Sequence, residues 1–150
     1  MHKTIFLILA FAGLASAQGS RLSAEERQAI LDYQLTLPRA NHLITAMEAM
    51  TRYVVSLPDF KERVRKSMTM TPAERLALVE KDPKAMAILK QNDLTAKEYL
   101  AGILALRMAL LAAQGVTTAV ASPANVAFAK ANLAQLKPKM DAADGLRRSK

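Results

Sequence analysis

A hydroxyl residue three positions ahead of a glutamate recurs along this chain: Ser23-Ala24-Glu25-Glu26, Thr71-Pro72-Ala73-Glu74 and Thr95-Ala96-Lys97-Glu98. The spacing lets the hydroxyl accept from a free backbone N–H of a first helical turn while the glutamate reaches back to the cap, so each box predicts a helix start. Asp82-Pro83 and Ser122-Pro123 add two more starts. There a short polar cap precedes a proline whose missing N–H costs nothing in the first turn. Between these signals the apolar spacing is helical. Leu43, Met47, Met50 and Val54 fall on one stripe, and Val126, Ala129, Leu133, Leu136 and Met140 on another. Nothing alternates in the manner of a strand. The expected fold is all-α, an irregular bundle of five to seven helices near 23–36, 38–56, 59–67, 72–81, 83–91, 96–114 and 123–140.

The first 17 residues follow a different rule. His2 and Lys3 precede an apolar run from Thr4 to Leu14 that is too short for a permanent anchor, and Ala15-Ser16-Ala17 supplies the small residues of a processing site. The expectation is a cleaved signal peptide at 1–17, a helical domain at 18–140 and a basic, disordered tail at 141–150. The product is then exported, periplasmic or secreted, with no integral membrane segment after processing. The chain has no cysteine, which excludes lipid attachment at an N-terminal cysteine and makes the fold indifferent to an oxidising compartment.

Within the domain, the segment from Ala96 to Gln114 carries apolar residues on more than one face and is expected to be the enclosed, central helix. Gly102, Ala105, Ala109 and Ala112 give it a small-residue face for close approach, and Gly115 stands where a left-handed C-terminal cap is wanted. Arg107 breaks the pattern by lying in line with Leu100, Ile103, Leu104 and Leu111. Two readings fit it: a packed stem whose guanidinium pairs with a carboxylate such as Asp32 or Glu48, or an anion-binding group at the base of a pocket.

Composition narrows the chemistry. Loss of Lys3 leaves 20 Lys and Arg against 13 Asp and Glu, net +7. The charge suits anionic envelope components or acidic and unfolded proteins. Nucleic acid is a poor fit, because a chain with no Trp and few aromatics lacks stacking platforms. The basic run Phe60 to Lys66 offers Lys61, Arg63, Arg65 and Lys66 as contact residues, on a short helix expected to be solvated. His42 is the one histidine after processing, so paired-imidazole metal sites are excluded. Met47 and Met50 with His42, or Met68 and Met70, have the soft donors of a copper or haem carrier, but core packing explains them more simply. The five glycines never cluster into a phosphate loop, and no serine or acid pair has a catalytic context. No enzyme activity, metal or cofactor is expected.

Two resemblances accompany these residues. Asp93-Leu94-Thr95-Ala96-Lys97-Glu98-Tyr99 and Ser122-Pro123-Ala124-Asn125-Val126-Ala127-Phe128, followed by Lys130-Ala131-Asn132, resemble an uncharacterised family of exported bacterial helical proteins. That resemblance implies export and a helical fold, and no activity. Leu22-Ser23-Ala24-Glu25-Glu26-Arg27-Gln28 and Met70-Thr71-Pro72-Ala73-Glu74-Arg75 are similar in shape to the LTxxQ signature of periplasmic stress chaperones and metal-stress sensors, with Glu26 and Glu74 where that family has glutamine. This second resemblance implies an envelope-stress role.

Overall fold

All three expected boxes form in the computed structural model, which describes residues 22–148. Ser23, Thr71 and Thr95 each accept from the N–H of the glutamate three positions on, and Glu26, Glu74 and Glu98 each accept from the N–H of the cap. They open α1 (Ala24–Asp32), α4 (Pro72–Glu80) and α6 (Ala96–Ala113). Asp82 caps α5 (Pro83–Gln91) by accepting from Lys84 and Ala85, and Ser122 caps α7 (Pro123–Gly145) by accepting from Asn125. The remaining helices are α2 (Leu37–Val55) and α3 (Phe60–Ser67). The fold is therefore all-α, with seven helices and no strand among the described residues.

Helix α6 is the axis. Its buried residues, from Tyr99 through Gly102 to Leu110, surround it on every side, and it packs against α1, α2, α4, α5 and α7. Gly102 explains how neighbours come so close: a Cβ there would lie 2.7 Å from Leu43 Cδ2 and 2.8 Å from the tip of the Tyr33 ring. At the far end, Gly115 has φ 91° and donates to Ala112, while Val116 donates to Leu111, so the left-handed cap closes the helix as expected. The main core joins α2, α5, α6 and α7 through Met47, Met50, Leu89, Leu106 and Leu136, all at or below 1 % exposure.

Two boundaries differ from the sequence reading. The first helix stops at Asp32, not 36, and residues 33–36 run extended. Asn125, distant in sequence, holds this linker as a neighbouring strand would: its Nδ2 donates to the Tyr33 carbonyl at 2.7 Å and its Oδ1 accepts from the Leu35 N–H at 3.1 Å. Thr36 then caps α2 by accepting from Arg39, with Pro38 in the first turn. The last helix does not end at 140 with a tail beyond it. It continues to Gly145, because Ala143 extends the buried stripe of Leu136 and Met140 and sits at 2 % exposure. The leader and its processing site lie outside the described residues. Among the described residues, no helix is long and apolar enough to cross a membrane.

Candidate functional site

Arg107 is settled by the end of α7. Its guanidinium donates to both oxygens of Asp144, NH1 to Oδ2 at 2.9 Å and NH2 to Oδ1 at 3.1 Å, with both side chains nearly enclosed. The partner is therefore neither Asp32, which accepts from Gln28, nor Glu48, which pairs with Arg52. Arg147 closes on the same carboxylate from one turn further along, and Met47 Sδ lies 3.8 Å from Arg107. Burial pushes the Asp144 carboxyl up, but the hydrogen bonds and charges of Arg107 and Arg147 outweigh it and hold the group below the usual carboxylate range. The arrangement is a buried fork that ties α7 to the central helix. The Tyr99 hydroxyl is buried nearby with no hydrogen-bond partner among the described residues, and burial raises its pKa.

The basic run of α3 separates into two faces. Phe60 and Val64 pack on the core, and Arg63 goes with them at 7 % exposure, ion-paired to Asp59. The expected contact residue Arg63 is thus structural: its i,i+4 spacing to Asp59 places the pair along one edge of the helix, and the hydrogen bond from Arg63 holds the Asp59 carboxyl below its ordinary value. Lys61, Arg65 and Lys66 are exposed. Lys66 pairs with Glu62 at 2.8 Å and the charge of Arg65 acts on the same carboxylate, while Lys61 has no carboxylate partner among the described residues. Met68 continues the helical geometry (φ −66°, ψ −22°), which brings Lys61, Arg65 and Met68 onto one stripe. Met68 is 57 % exposed, an unusual position for a large apolar side chain beside exposed cations.

A third feature was not legible from spacing. The first turns of α1, α4 and α6 border an open groove of about 240 Å³. Ala29, Leu76, Leu100 and Leu104 give it an apolar lining, the nearly enclosed Glu26–Arg75 ion pair lines it too, and the exposed Glu25 and Lys97 stand at its rim. The two segments that resemble the LTxxQ signature meet here. Glu26, from the first, accepts from the Ser23 N–H at 3.0 Å and from Arg75, in the second, at 2.6 Å. The only sequence signal for this convergence is that all three bordering helices begin with the same capping chemistry.

The methionines divide by burial. Met47 and Met50 are core residues at 1 % and 0 % exposure, on α2 with the half-buried His42, and Met68 lies on the α3 surface. Among the described residues, no three His, Asp or Glu side chains gather as a metal-ligand group. No protein-family model matches this chain, and no curated protein or solved structure matches it either.

Proposed function

We propose that this protein is a non-catalytic, exported binding protein that docks on anionic surfaces of the cell envelope through α3. Export is supported by the short apolar run and the Ala15-Ser16-Ala17 site. The observation that carries the docking reading is the Lys61–Arg65–Met68 stripe: two exposed cations lead to an exposed thioether on the most peripheral helix of the bundle. Cations steer such a helix to a negative surface, and an apolar side chain then enters the boundary between headgroups and acyl chains.

Each basic side chain near an anionic leaflet contributes about 1 kcal/mol, so two give binding that is weak and strongly dependent on salt. Co-sedimentation with phosphatidylglycerol vesicles at low salt tests this. The protein is expected in the pellet with anionic vesicles and in the supernatant with phosphatidylcholine or at high salt. The double variant Lys61→Gln, Arg65→Gln should weaken binding about 30-fold with unchanged helicity, and Met68→Ser should weaken it further. Absence of binding at low salt would overturn the reading. If the protein instead suppresses aggregation of an acidic unfolding client and ignores vesicles, the envelope-stress chaperone reading replaces it.

A further inference from the structure

The groove between α1, α4 and α6 holds a side chain that the fold does not explain. Lys97 lies in the first turn of α6, where the helix dipole disfavours a cation, and it has no carboxylate partner among the described residues. The other charges of the groove have structural uses. Glu25 lies in the first turn of α1, where an acid is favoured, and Glu26 and Arg75 neutralise one another. In each capping box the glutamate accepts from the cap N–H and the hydroxyl accepts from the glutamate N–H, so all three helix starts already carry a carboxylate of their own. An apolar lining with one uncommitted ammonium at its edge remains.

We propose that this groove binds a free medium-chain monocarboxylate, its chain on Ala29, Leu76, Leu100 and Leu104 and its carboxylate on Lys97. The volume, about 240 Å³, falls below the range of about 300–1,000 Å³ typical of sites for drug-sized ligands. That favours a single short chain over a ring system. A monoanion suits the rim better than a dianion, because Glu25 and Glu26 line the same groove. The net positive charge of the chain favours an anionic head over a cationic one. The site is independent of the α3 stripe, with which it shares no residue.

Calorimetric titration of the native protein with decanoate, decanol and decyltrimethylammonium tests the proposal. Decanoate should bind one to one and most tightly, with affinity falling about fourfold for each methylene removed. Lys97→Gln should lower decanoate affinity about tenfold, to the level of decanol, and leave decanol binding unchanged. Ala29→Leu, which fills the groove, should weaken both ligands. If Ala29→Leu fails to fold, the Lys97→Gln comparison alone decides. No decanoate binding, or decyltrimethylammonium binding as tightly as decanoate, would overturn the assignment. Loss of binding to phosphatidylglycerol vesicles in Lys97→Gln would also overturn it, since the groove would then serve a membrane lipid and not a free acid. Retained vesicle binding in that variant supports it.

Discussion

Two residues, one on the central helix and one on α7, illustrate how single positions decide this fold. Gly102 lets Leu43 and Tyr33 reach the α6 backbone, and a methyl group there would overlap both. Alanine restores helix propensity worth about 1 kcal/mol, but overpacking an enclosed site costs about 1–3 kcal/mol, so Gly102→Ala should lower the melting temperature. A higher melting temperature would mean that Tyr33 swings aside freely. Asp144 has the opposite problem, a charge that must stay ionised while nearly enclosed. Its pKa lies below the unfolded value, so the fork contributes stability above the ordinary carboxylate range, and that contribution is lost as pH falls through the folded value. Asp144→Asn leaves Arg107 and Arg147 facing a neutral amide. It should cost about 2–4 kcal/mol at neutral pH, somewhat less than for a fully enclosed pair, and flatten the acid limb of stability below about pH 4. Urea melts of both proteins across that range give the answer. Parallel acid limbs would show that Asp144 is not the group responsible.

At the scale of elements, what a helix packs against matters more than where its caps lie. The end of α7 has no cap signal and contains Pro138, whose missing N–H would ordinarily weaken a helix interior. Ala134, which loses that hydrogen-bond partner, and Pro138 are both exposed, so the freed carbonyl faces water. The turn survives because Ala143 and Asp144 bind it to α6. A chain ending at Met140 loses both and leaves Arg107 without its carboxylate. It should be destabilised by about 3–5 kcal/mol, whereas a dispensable tail could be removed without effect. Thermal unfolding of the truncated protein distinguishes these outcomes. Helix α3 is the counterexample. Phe60 and Val64 tie it to the core with Arg63 and Ser67 buried beside them, yet it packs on the other helices far less than α6 or α7 does.

Across the whole molecule, this uneven packing predicts an order of opening. Amide exchange should be slowest along α6 and the facing turns of α2 and α7, and fastest in α3 and the segment 68–71, since local stability follows buried apolar contact. Equal protection of α3 and α6 would show that the bundle opens only as a unit. The two regions read as functional differ in the same respect. The α3 stripe lies on the least constrained element, while the Lys97 groove borders the most constrained one.

Much of this architecture is written locally. Caps, prolines and 3.6-residue spacing depend on neighbours within four positions, so the helix starts at Ser23, Thr71, Asp82, Thr95 and Ser122, the central helix and the Gly115 cap were all legible in the chain. The partners of polar groups were not, because they join residues far apart in sequence. Asn125 clamps the 33–35 backbone across some 90 residues, and Arg107 finds Asp144 across 37. The stripe that ends in Ala143 could have extended α7 from sequence alone, but Lys and Asp at 139 and 141 interrupt it and read as a solvated tail. The division of α3 was half legible. Spacing pairs Arg63 with Asp59, yet which side of the helix meets the core is set by where Phe60 and Val64 find apolar neighbours. The Lys97 groove needed tertiary structure entirely, because a concavity shared by three helices exists only once their axes are placed.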